Sequence, residues 1–287
     1  MELIKNLKVK PHQRLVWTSE AARKNWEAKI NFISKLNSEL EVASIVAGHR
    51  ACAWQTVAKE EFQFFSSKIL SMGLTLYPVR EVARFEGFAH YHEAPKPGEP
   101  TTVCISVAKK YSDNLDMRDA YEAGDHEKQG ALLGYPPCCA KFFADVWARG
   151  YFDPVWQIAM NSPKISESGN LIFADSAPFS NPLLRYVGVR VNFHIPCSFV
   201  CERSIESANR RLSLVSDRSI KQDLEALLSM PLSWSVLHGI AEVKSPLFYI
   251  LTSSVPSAEI FRVNTRGEFL PAETPRGINY PFSLKEA

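Results

Sequence analysis

Two pairs of cysteines, each led by a proline, constrain this chain more than any other feature. The first stands in Gly134-Tyr135-Pro136-Pro137-Cys138-Cys139, the second in His194-Ile195-Pro196-Cys197-Ser198-Phe199-Val200-Cys201. An amphipathic helical pattern follows each proline, so each pair is expected at a helix start. Proline suits the first helical position, where its missing N–H is not needed. The partial positive charge at a helix N-terminus favours a thiolate over a thiol. Four sulfurs primed for ionisation, brought from two segments, are what a metal or an iron–sulfur cluster requires.

The spacing leaves the ligand set open. On one helix, Cys197 and Cys201 would share a face, with His194 just before the first turn. Cys138 and Cys139 would lie about 100° apart around theirs. Either all four thiolates bind, or three of them bind with His194 or an open position. The pattern lacks the CxxC knuckle of ribbon and finger zinc sites. It also lacks the CxxxCxxC loop of radical-SAM clusters, since Ser204 stands three residues after Cys201.

Composition decides how the six cysteines are read. The chain has 287 residues, 46% of them hydrophobic and 22% charged. That is enough to build an ordinary core without disulfide staples. No apolar run approaches the roughly 18 residues of a membrane span, and the first residues contain no hydrophobic signal core. A cytoplasmic protein is expected, with free or ligating thiols rather than disulfides. Cys52 and Cys104 fall in strand patterns and are expected in the core. The net charge of +2 is too balanced to suggest nucleic acid. The basic stretch of Arg203, Arg210 and Arg211 is interrupted by Glu202 and Glu206, which reads as a solvated helix face.

The order of patterns predicts an α+β fold. Residues 1–110 read as a small α+β region. Ser19 caps a helix running to Leu40, and Val42 to Gly48 reads as a strand. Further strands are expected over 50–57, 74–79, 85–92 and 101–109, with a helix over 59–72. Residues 111–230 read as a mainly helical module that carries the cysteines. Its helices are expected over 113–133 with a break near Gly124, over 136–148, over 196–214 and over 219–228. Residues 231–287 read as a strand-rich tail packing on the body, with irregular structure around Pro271, Pro275 and Pro281.

Other residues could supply chemistry. His126, in Gly124-Asp125-His126-Glu127, shares a helix face with Gly130 and Leu133 and could point toward the cysteines. Arg185, before the second pair, could hold an anionic group of a substrate or make a structural ion pair. His90 and His92, two apart on an expected strand, would face one side. There is no glycine-rich phosphate loop and no nucleophile elbow.

The segments Leu132-Leu133-Gly134-Tyr135-Pro136-Pro137-Cys138-Cys139 and His194-Ile195-Pro196-Cys197-Ser198 through Cys201 resemble an uncharacterised prokaryotic family, a domain of unknown function with LGYPxCC and HxPCSxxC motifs. The likeness spans roughly residues 120–210. It implies that the two cysteine segments belong to one module and brings no settled activity with it.

The expectation is therefore an enzyme in which Cys138, Cys139, Cys197 and Cys201 hold an iron–sulfur cluster of the 4Fe-4S kind. It would act by redox or sulfur chemistry on a small molecule and draw on an electron donor protein. His194, His126 and Arg185 would transfer protons or position substrate. The alternatives are a structural or hydrolytic zinc site on the same ligands, or a protein- or RNA-binding module with merely buried cysteines.

Overall fold

The structure, a computed structural model, describes residues 13–84, 94–150, 153–254 and 259–266. His90, His92, the whole strand expected over 85–92, and Pro271, Pro275 and Pro281 lie outside these residues. The fold is α+β, as the sequence pattern suggests, and is built on two sheets.

The long helix α1 (Glu20–Val46) joins the two sheets. Ser19 caps it, its Oγ accepting from the Ala22 N–H at 3.1 Å. Ile30 and Ile33 enter the core of the larger sheet, whereas Val42 and Ile45 enter that of the smaller one. That second contact explains why residues 42–46 are helical rather than the expected strand. Their apolar side chains continue the buried stripe of α1, and tertiary burial outweighs the β preference of Val42 and Ile45.

The smaller sheet has three antiparallel strands, with β4 (Thr101–Ala108) between β2 (Cys52–Ala58) and β3 (Thr75–Ala83). Helix α2 (Phe62–Ser71) contributes Ile69 to the core on the α1 side. On the other side, α3 (Tyr111–Glu122) and α4 (His126–Leu132) pack through Met117 and the adjoining Leu133. Gly124 separates these two helices in the left-handed conformation, where the sequence suggested a break. The central strand is buried along nearly all its length, as a strand covered on both faces must be.

The larger sheet collects strands from the whole chain. β1 (Gln13–Trp17) pairs antiparallel with β9 (Phe248–Ser253), followed by β8 (Ile240–Lys244) and β7 (Leu232–Leu237). β10 (Phe261–Thr265) lies antiparallel to β7 and parallel to β6 (Leu171–Ala174), and β5 (Ile165–Ser168) closes the edge. Strand β7 alternates cleanly, with Leu232, Trp234 and Val236 buried.

Helices α5 (Pro137–Asp145), α6 (Val155–Met160), α7 (Glu202–Leu212) and α8 (Arg218–Leu228) and the long loop over 175–201 supply Phe142, Ile158, Ala208, Leu224 and Leu184 to the core of the larger sheet. That loop touches α1 at Gly188, whose carbonyl accepts from the Asn37 side chain. Gly188 has φ +76, and a Cβ there would collide with Ser34. Among the described residues no helix is long and apolar enough to cross a membrane.

Candidate metal centre

The first cysteine pair is set by two close approaches. Gly134 ends α4 at φ +67, and a Cβ on it would stand 2.9 Å from both the His49 carbonyl oxygen and Arg50 Cβ. Gly130 lets α5 lie directly on α4, because a Cβ there would stand 2.6 Å from Ala140 Cβ. Pro136 then caps α5, with Pro137 at its first position, as the sequence predicts. Cys138 and Cys139 occupy the next two positions. Cys139 is buried and Cys138 reaches the surface.

The second pair departs from expectation. Helix α7 begins at Glu202, with Cys201 as its cap, so Cys197 lies in a loop rather than on a shared helix face. The cause is the burial of Phe199, fully enclosed in the main core, which holds residues 197–201 in a turn. Neighbouring groups satisfy the turn's backbone. Phe199 N–H donates to Ser162 Oγ at 3.0 Å, Cys201 N–H donates to Ser180 Oγ at 3.2 Å, and Ser180 Oγ donates to the Ser198 carbonyl at 2.9 Å.

The sulfurs of all four cysteines nonetheless meet, every pair within 4.8 Å. Cys138 lies 3.9 Å from Cys139 and 3.9 Å from Cys201, while Cys139 lies 3.7 Å from Cys201. Both cysteines of the adjacent pair therefore face the same point, despite their angular separation on α5.

The electrostatics suit a cation. The thiols of Cys139 and Cys197, acting as donors, hold Cys201 far below the usual thiol range despite its burial. Cys139 is held far above that range by its contacts with Cys197 and Cys201, then by burial. At Cys197 the contact with Cys139 pulls down, but Cys201 and burial outweigh it and push the thiol up to about 12. Without a cation the group thus favours ionisation of Cys201 over that of Cys139 and Cys197. A bound metal ion reverses this, because a coordinating thiol is deprotonated outright. A tetrahedral ion with metal–sulfur bonds of about 2.3 Å needs sulfur–sulfur edges of about 3.8 Å. The donor set and its spacing fit a metal.

Three other residues were expected at this site. His194 is buried, with Nε2 2.8 Å from Ser204 Oγ, and Ser204 Oγ lies 3.3 Å from Cys139 Sγ. His194 thus meets the sulfurs through Ser204. Burial, then the charge of Arg211, pushes its pKa down to about 3, so the ring is neutral at ordinary pH. His126 packs edge-on against Phe143, with ring centroids 5.5 Å apart. Arg185 is bound into a buried network, with Nη2 3.2 Å from Asp153 Oδ1. The same carboxylate accepts from Tyr186, Trp234 and Ser254 at 2.7, 3.1 and 2.8 Å.

His126, Arg185, His194 and Cys139 all line one cavity of about 470 Å³ beside the sulfurs. No local pattern points to this cavity, whose walls come from β2, α3, α4, α5, α8 and the 175–201 loop. Nor does one assign Ser204 a role. Arg211 is buried and donates to Asn192 Oδ1 at 2.9 Å, which corrects its reading as a solvated residue. Arg203 and Arg210 are exposed, as expected. Cys52 and Cys104 are buried in β2 and β4.

No family model matches the chain, and comparison with curated proteins and with solved structures finds no match either. The geometry of the chain itself carries the functional reading.

Proposed function

We propose that Cys138, Cys139, Cys197 and Cys201 hold a single tetrahedral metal ion, zinc in the first instance. We further propose that the protein is a metal-dependent enzyme acting on a small molecule bound in the adjoining cavity. The observation that carries the first part is three sulfur–sulfur edges of 3.7–3.9 Å among Cys138, Cys139 and Cys201, with the Cys197 sulfur within 4.8 Å of each. These match a four-thiolate cage around one ion.

In a four-iron cluster each cysteine binds a different iron, so the body of the cluster spreads the ligands apart. The close-set sulfurs therefore favour the single ion over the iron–sulfur centre expected from the sequence. A closed four-thiolate ion supplies folding energy, not an open coordination position. It would clamp the start of α5 to the 197–201 turn, fixing the wall that carries Cys139 and His194. His126 is the wall group suited to exchange a proton with a bound molecule, and the neutral His194 offers that molecule its unpartnered Nδ1. Arg185, committed to Asp153, acts as a positioning residue.

Elemental analysis and a visible spectrum of anaerobically purified protein test the reading. The expected result is one zinc per chain and no colour. Iron with sulfide and a broad visible band would overturn the single ion in favour of a cluster. Absence of any bound metal would overturn both.

A further inference from the structure

The cavity beside the metal centre has two unlike kinds of lining. One is aromatic. Trp54 stacks on Tyr121 with ring centroids 5.4 Å apart, and Phe143 stacks on Trp147 at 5.7 Å. These four residues and Phe179 all line the cavity. Stacked pairs of this kind offer broad, flat faces to a ligand ring.

The other is positively charged. Arg190 lines the cavity. Three guanidinium groups, those of Arg50, Arg190 and Arg211, lie 5.5, 5.7 and 4.7 Å from the ring of Phe193. One buried carboxylate, Glu41, accompanies them, paired with Arg50 at 3.7 Å. Arg211 spends a hydrogen bond on Asn192. Arg190 donates none among the described residues, and its buried Nε has no partner. Arg190 is partly buried, and a buried guanidinium nitrogen without a hydrogen-bond partner is costly, a cost that an oxyanion would offset. His194 Nδ1, on the same wall, is also buried without a partner.

We propose that the cavity binds a flat, mainly apolar small molecule bearing one oxyanion, a carboxylate or a phosphate, with the anion seated on Arg190 and the flat body among the aromatic pairs. The volume of about 470 Å³ suits one such molecule. This names the substrate class of the cavity and rests on the reading that it receives a small molecule beside the metal.

Calorimetry on the metal-replete chain tests the proposal with three probes of one shape: 2-naphthoate, 2-naphthyl phosphate and the neutral 2-naphthamide. At least one acid should bind about tenfold or more tightly than the amide, as a charge-assisted contact requires. The tighter acid identifies the head group. Arg190→Gln should abolish the preference, and Arg190→Lys should retain part of it. Acids that bind no more tightly than the amide, including no binding by any probe, would overturn the proposal. So would a preference that survives in Arg190→Gln. If Arg190→Gln does not fold, the wild-type comparison decides alone. Metal content measured on the same samples keeps the two readings apart. One ion per chain without an acid preference removes only this inference, and an acid preference in metal-free protein removes only the metal.

Discussion

Cys104 and Cys139 are buried to the same degree, each 1% exposed, yet their surroundings have nothing else in common. Cys104 lies on the central strand of the small sheet, where burial alone lifts its thiol above the ordinary range, with Arg80 opposing. Its strand neighbour Cys52 gives its proton to the Asp113 carbonyl at 3.3 Å and is pushed up to about 11, again by burial. Cys139 has three other sulfurs within 4.8 Å, and those neighbours shift it more than burial does. The number and convergence of sulfurs, not burial, distinguish a ligand from a core residue that is merely a small hydrophobe.

The comparison can be broken by substitution, and the largest effect is expected at the converged set. Cys201→Ala should abolish metal binding and cost at least about 4 kcal/mol of stability, the scale of losing a structural metal. Metal analysis and a denaturant melt measure both losses. The next effect belongs to the scaffold of the same site. Gly134→Ala must place a Cβ 2.9 Å from a backbone oxygen at φ +67, and should cost roughly 2–3 kcal/mol with weakened metal affinity.

Cys52→Ala, in the dispersed set, should cost only about 1–2 kcal/mol and leave metal content unchanged. A metal loss in that variant would collapse the distinction between the two regions. Ser204→Ala removes the hydroxyl between His194 and Cys139 and should cost about 1 kcal/mol, with metal retained. Exposed Arg203, the residue before Ser204 on α7, should tolerate alanine within about 0.5 kcal/mol.

Much of this contrast could be read from the residues. Proline before Cys138 marked a true helix start, and the strand patterns around Cys52 and Cys104 placed both in the core. The α+β class followed from the order of local periods. Features set by distant contacts could not be read this way. The start of α7 moved to Glu202 because Phe199 is drawn into a core formed largely by residues far from it in the chain. Strand β1 finds its partner more than 200 residues away, at Gln13 and Thr252, and no local pattern announces that pairing. Arg211 looked like one of three solvated arginines, yet it alone turns inward, toward Asn192 and Phe193. The cavity was hidden for the same reason, since its aromatic walls come from five separate stretches of chain.

X-ray absorption at the edge of the bound metal examines the four-sulfur cage directly. A single shell of four sulfurs at about 2.3 Å, with no metal–metal distance behind it, is the result expected of one ion held by Cys138, Cys139, Cys197 and Cys201. A metal–metal shell, or a first shell of nitrogen and oxygen, would contradict it.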